Sequence, residues 1–175
     1  MLSVWWGVHR IYRFELLPDN TTVTAEVHCA QLQRLADKIH KEHSKLDKVC
    51  LLHGNARPRI AKKAFQKILE LGLEVLRHSP CSPDLDSSDY HLFRLLQHHL
   101  GEKRYDYRDH LENDLQAFFV SMSPEFYAKR NRDLVRRWQK AVDVDGDISS
   151  NNKMLLKSCV ALKFCRISAD TFRIP

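Results

Sequence analysis

Apolar residues in this chain fall into short unbroken runs and longer stretches with helical spacing. Residues 49–52 form one such run, followed at once by the turn-like His53-Gly54-Asn55-Ala56-Arg57-Pro58, which reads as a buried strand. Over 61–71, Ala61, Ala64, Phe65, Ile68 and Leu69 recur on one helical face, Gly72 is a natural stop, and 73–76 is a second strand. Strand, helix, strand in that order predicts parallel neighbours joined by a right-handed crossover. The carboxyl ends of such strands are where chemistry is mounted.

Upstream, 2–6 and 11–17 read as an antiparallel hairpin turned at Gly7-Val8-His9-Arg10. Adjacent Trp5 and Trp6 must then face opposite sides of the strand, so at least one needs a covering layer supplied by another part of the chain. Pro18-Asp19-Asn20 ends the hairpin, and Thr22 or Thr24 caps a helix striped by Leu32, Leu35 and Ile39, with Arg34, Lys38, Lys41 and Lys45 elsewhere around it. Downstream, Ser88 is placed to cap a helix carrying Leu92, Leu95, Leu96 and His99, ended by Gly101. Helices over 108–122 and 126–141 follow, the second with Leu134, Val135 and Trp138 apolar among many arginines. Asp143-Val144-Asp145-Gly146-Asp147 has the acidic spacing of a calcium loop but not the closing glutamate, and reads as a terminal loop. Residues 148–175 read as a divergent, loosely ordered tail, leaving 1–147 as the domain.

Composition alters this picture little. At 175 residues, 43% apolar and 29% charged, the chain suits one globular domain. Its formal charge of +6 permits a polyanionic partner. Cys29, Cys50, Cys81, Cys159 and Cys165 are odd in number without C-x2-C spacing, which fits a reducing compartment. No apolar run approaches the roughly 18 residues of a membrane span, and residues 1–8 lack a signal-peptide pattern. A nuclear location is expected, with the cytoplasm as the alternative, and neither a membrane nor a small-molecule substrate.

Several motifs, taken in order, resemble the catalytic domain of the mariner branch of the Tc1/mariner transposases: Trp5-Trp6, Phe14-Glu15-Leu16-Leu17-Pro18, Leu52-His53-Gly54-Asn55-Ala56-Arg57-Pro58, Glu74-Val75-Leu76, Ser82-Pro83-Asp84-Leu85, Ser88-Asp89-Tyr90-His91-Leu92-Phe93, and Arg137-Trp138-Gln139-Lys140. The resemblance implies an RNase H-like α/β fold, a mixed sheet with its first three strands antiparallel and its later ones parallel, and helices on both faces. It also implies DNA cut-and-paste chemistry in which three aspartates hold two Mg2+ or Mn2+ ions. One ion activates the attacking oxygen and the other steadies the leaving oxygen.

The aspartates follow residue by residue from the resemblance. The second falls on Gly54, which has no side-chain oxygen. The third, after 34 intervening residues, is Asp89. The first belongs to a strand expected upstream of Met1, so the chain is expected to be an N-terminally truncated, degenerate member with Asp89 as a vestigial catalytic and metal position. Arg59 replaces the histidine that usually closes the Asn-Ala-Arg-Pro-His motif, and Gly7 stands where an aspartate is usual. Asp84 and Asp86 read as surface or capping residues, Asn55 as a turn residue, and Asp89 itself also suits a helix N-terminus without any metal.

Four functional expectations stand side by side. The first is a remnant that is not an enzyme, needs no cofactor and binds DNA weakly and without sequence preference through Arg104, Arg108, Lys129, Arg130, Arg132, Arg136 and Arg137. The second is a fragment of a metal-dependent transposase or endonuclease. The third is a protein-interaction remnant, a homodimer included, and the fourth a relic that folds poorly because a missing strand leaves main-chain groups uncovered.

Overall fold

The computed structural model describes residues 1–42, 49–53, 56–76, 88–101, 103–143 and 165–172. The hairpin forms as expected: β1 (Leu2–Gly7) pairs antiparallel with β2 (Ile11–Leu16), and the Gly7 N–H closes the turn on the Arg10 carbonyl at 2.9 Å. Helix α1 (Ala25–Glu42) starts at Thr24, whose hydroxyl accepts the Val27 N–H, and buries Leu32, Leu35 and Ile39. Strand β3 (Val49–His53), the one-turn α2 (Arg57–Ile60), helix α3 (Lys62–Glu70) and β4 (Leu73–Leu76) make the crossover unit, and β3 and β4 are parallel. Gly72 makes the return to β4 at φ +66°, where a side chain would strain the backbone. Only Ala64 and Ile68 of α3 are buried, whereas Phe65 and Leu69 are 43% and 63% exposed. The buried stripe is narrower than the five apolar residues suggested.

A π-helical turn, Ser88–Phe93, leads into α4 (Arg94–Leu100), then α5 (Arg108–Ser121) and α6 (Pro124–Asp143). Proline suits the first position of α6 because it has no N–H to leave unpaired, and the Ser123 hydroxyl accepts the Phe126 N–H. Ser88, expected to cap this stretch, is the first residue of the π-helical turn. It is fully buried, and its hydroxyl accepts the Trp6 indole N–H at 3.1 Å.

The larger departure is β5 (Cys165–Phe172), formed from the stretch expected to be a loosely ordered tail. The sheet order is β2-β1-β5-β3-β4, so the last strand in sequence stands at the centre. It runs antiparallel to β1 and parallel to β3, at the junction of the antiparallel and parallel parts where the resemblance puts a strand from upstream of Met1. The physical reason is main-chain hydrogen bonding. Strand β1 is buried along its whole length and β3 is buried at Cys50, Leu51 and Leu52, so an open edge on either would leave donors and acceptors without water. The uncovered main chain expected of a poorly folding relic is covered here by β5. The calcium-loop-like residues 144–147 and the remainder of the tail lie outside the described residues.

Two apolar layers flank the sheet. Leu2, Val4 and Trp6 meet Leu92, Phe93, Leu96, Leu115, Phe118, Phe119 and Tyr127 on one side. Trp5 joins Leu32, Leu35, Ile39, Leu51 and Ile68 on the other. The paired tryptophans therefore anchor opposite layers, as strand alternation requires. Burial pushes the Tyr127 hydroxyl up to about 12, and it donates to the Phe119 carbonyl at 3.1 Å.

The Trp6–Ser88 bond is open to direct test. Ser88→Ala leaves the Trp6 N–H buried without that acceptor and should cost about 1–3 kcal/mol in denaturant unfolding. Adding Trp6→Phe to it should cost less than the sum of the two single changes, because the second removes the orphaned donor. Glu15 gives a second prediction. Burial disfavours its charged form, but hydrogen bonds from Arg34 (2.8 Å, through both carboxylate oxygens) and Arg13 (2.5 Å) outweigh this and hold its pKa below 4.5. Its stabilisation is therefore present above pH 4.5 and is lost as pH falls through the depressed value. Glu15→Gln should destabilise by about 1 kcal/mol at neutral pH, with the difference shrinking in acid, measured as melting temperature against pH.

Candidate functional site

Strand β3 ends at His53, directly before Gly54, so the position where the motif resemblance puts the second aspartate follows the carboxyl end of a parallel strand, where such a topology mounts chemistry. Asp89 is the second residue of the π-helical turn that follows β4 in the described chain. Its side chain, and that of His53, lie outside the described residues, as do Gly54, Asn55, Asp84 and Asp86. What is described is the turn's anchoring. Ser88 is bonded to Trp6 of β1, and Leu92 and Phe93 are buried in the layer that covers Trp6. Arg59, in place of the motif's usual histidine, is only 5% exposed in α2.

Strand β5 adds an acid that the sequence reading passed over. The register pairs Ala169 with His53 on one side, and Asp170 with Val4 on the other. Asp170 therefore enters the sheet one residue beyond the end of β3, on the strand that separates β1 from β3. Its only local signal was a short stretch mixing apolar and polar residues near the chain end, which cannot specify a central strand without knowledge of its partners.

The donor set limits metal chemistry. Magnesium and manganese favour hard carboxylate oxygens, and Gly54 supplies none. Among the described residues no three His, Cys, Asp or Glu side chains stand together as metal donors. Gly54 therefore cannot supply one of the three carboxylates that the motif resemblance implies for a pair of divalent ions.

The basic residues named from the sequence are dispersed. On α6, Lys129, Arg132, Arg136 and Arg137 are exposed on the side away from buried Tyr127, Leu134 and Trp138. Arg132 is paired with Glu125, and Arg136 stands 3.9 Å from Asp133. The Arg130 side chain lies outside the described residues. Arg104 is exposed in the α4–α5 loop. Arg108 has a structural position: it donates to the carbonyls of Leu16 and Leu17 and pairs with Glu112 at 2.9 Å, tying α5 to the end of the hairpin. An open cleft of about 670 Å³, lined in part by His9, Arg10, Arg13, Lys38, Phe119 and Tyr127, was not foreseen. Arg10 and Arg13 there are already paired, with Glu42 and Glu15.

One further polar cluster is structural. Burial opposes charge on Asp114, but hydrogen bonds from Lys103 and Tyr105 and the contact with His99 hold its pKa below the ordinary carboxylate value. The same carboxylate, with burial acting first, pushes the Tyr105 hydroxyl up. The cluster fastens the α4–α5 loop to α5.

Comparison with known proteins agrees with this geometry. Residues 1–49 match the family model described as Transposase (partial DDE domain). The chain is 37% identical over 149 residues to the human Histone-lysine N-methyltransferase SETMAR, a match covering 83% of this chain and 22% of SETMAR. It is 35% identical over 150 residues to the Mariner Mos1 transposase of Drosophila mauritiana, covering 83% of this chain and 44% of that protein. The chain thus spans less than half the length of either relative. Among solved structures, the Mos1 transposase catalytic domain with Raltegravir and Mn superposes with a TM-score of 0.79 at 33% identity, covering 85% of this chain and 76% of that one. The Mos1 paired-end complex with left transposon end gives a TM-score of 0.78 at 35% identity, over 83% of this chain and 43% of that one. With the mixed sheet, the flanking helices and the ordered motifs all in agreement, this chain belongs to the mariner transposase family and carries its RNase H-like catalytic-domain fold.

Proposed function

We propose that this chain is a catalytically inactive relative of the mariner transposases that retains weak, sequence-indifferent contact with DNA. The observation that carries the reading is Gly54, directly after the end of β3. Mos1 structures were solved with Mn and with Mg, and two-ion phosphodiester chemistry depends on the carboxylates that hold both ions in place. A glycine at one of three such positions removes that side-chain ligand.

The DNA contact is proposed for Lys129, Arg130, Arg132, Arg136 and Arg137 along α6, with Arg104 nearby in sequence to α5. Mos1 was solved in paired-end complexes with a transposon end, which supports DNA as the partner class and a homodimer as the assembly. Several of these guanidinium groups already have acidic neighbours, so binding is expected to be weak and strongly salt-dependent. Arg108 would contribute only after releasing the Leu16 and Leu17 carbonyls. A nuclear location belongs to the same proposal, because that is where such a partner resides.

The register of β5 favours one second reading. Asp170 stands in the sheet beside β1, and Asp89 lies in the turn anchored to β1 through Ser88 and Trp6. Two carboxylates would suffice for a single weakly held divalent ion, though not for a two-ion reaction.

The inactive reading predicts that supercoiled plasmid incubated with Mn2+ or Mg2+ is nicked no faster by this chain than by its Asp89→Asn variant. Nicking abolished by both Asp89→Asn and Asp170→Asn would instead establish an active site. Weak Mn2+ binding followed by electron paramagnetic resonance, and lost in Asp170→Asn, would support the single-ion reading without any cleavage. For DNA, duplex affinity should fall steeply with salt. Changing Lys129, Arg132 and Arg136 together to Ala should weaken it uniformly across sequences and lower the logarithmic salt slope by about 1 for each phosphate no longer neutralised. An unchanged slope would remove α6 from the interface.

A further inference from the structure

The sheet consists of two halves that share no hydrogen bonds with each other: the β1–β2 hairpin and the β3–β4 crossover unit. Among the described residues β5 is the single strand that joins them. It bonds along β1 from the pair Leu2 and Phe172 to the pair Gly7 and Ile167, and along β3 from the pair Val49 and Cys165 to the pair His53 and Ala169. Its neighbours are the two strands with the deepest burial, so the space between them is a slot bounded on both sides by main-chain donors and acceptors.

The strand that fills this slot comes last in the chain. Between Asp143 at the end of α6 and Cys165 lie 21 residues, enough to reach about 70 Å when extended, so the connection does little to dictate where the strand docks. Pairing must select it. The slot also has a direction, since a strand antiparallel to β1 is necessarily parallel to β3, and reversing it would change the bonding pattern on both sides. It has a size requirement as well. In the register, Trp5 and Trp6 of β1, both almost fully buried, stand opposite Ala169 and Ser168, so the two bulkiest residues of one strand are paired with two of the smallest on the other.

We infer that the space between β1 and β3 is a strand-accepting site whose ligand is an extended peptide of this chain's own C-terminal sequence, and that the covalent link through 144–164 is dispensable once the strand is seated. This is recognition by strand addition, made stronger than at a sheet edge because both sides of the incoming strand are bonded. Small residues at 168 and 169 are its specificity determinants.

The test uses the full chain with a protease site inserted within 148–152 and cut after folding. In the uncut chain, amides of 165–172 should exchange with deuterium as slowly as those of β1, within about tenfold. After cutting, the C-terminal fragment should co-elute with the body, and a fluorescent peptide of residues 163–175 should exchange into the slot. The same peptide carrying Ala169→Tyr should bind at least about tenfold more weakly. Unprotected exchange over 165–172 with β1 still protected would overturn the inference. So would release of the fragment on cutting, whether or not the body then unfolds, or equal binding of the Ala169→Tyr peptide.

Discussion

Strand β1 imposes the governing constraint on this molecule, because every residue from Leu2 to Gly7 is buried and both edges of the strand must find hydrogen-bond partners inside the protein. Strand β2 satisfies one edge through a tight turn over residues 8–10. The other edge is satisfied only by β5, from the far end of the chain. Burial on both faces follows from Trp5 and Trp6. Neighbouring residues of a strand project oppositely, so one tryptophan needs α4, α5 and α6 above the sheet and the other needs α1 and α3 below it. Helix placement, sheet order and the anchoring of the π-helical turn through Ser88 all trace to these six residues.

The same architecture shapes what the surface can do. A formal charge of +6 suggests an open positive field, yet many of the cations are already matched within the fold. Arg34 lies against Glu15, Arg10 against Glu42, Lys63 against Glu26, and Arg132 against Glu125. Exposed pairs of this kind contribute little to stability, but they lower the local potential available to a phosphate backbone. Lys129, Arg132, Arg136 and Arg137 are exposed on the solvent side of α6, and there too Arg132 and Arg136 have acidic neighbours. At the carboxyl end of β3, Gly54 offers no side-chain oxygen to a metal ion.

Much of the fold was legible from local patterns. The hairpin, the parallel β3–β4 pair and the cap at Thr24 each depend on residues close in sequence, and each formed as the spacing implied. The positive φ of Gly72 agrees with its reading as a helix stop. Local patterns misled where a neighbour decided the outcome. Phe65 and Leu69 share a helical face with Ala64 and Ile68, yet the layer formed with α1 covers only part of that face. Ser88 carries a capping residue's signature, which gives no sign of the buried indole N–H 82 positions away that donates to its hydroxyl. Of the candidate site, Asp89 and Gly54 were identified by motif, while Asp170 carried no motif at all.

From sequence alone came the elements as far as α6, their order, the family resemblance and the glycine at position 54 of its motif, because periodicity and motif spacing are written in residues near one another. Only the tertiary structure decided that Cys165–Phe172 is the central strand, that Ser88 belongs to Trp6, and that Asp170 stands beside β1. Those outcomes depend on pairing between distant segments, where the unsatisfied hydrogen bonds of one strand select a partner whose own residues give no sign of the choice.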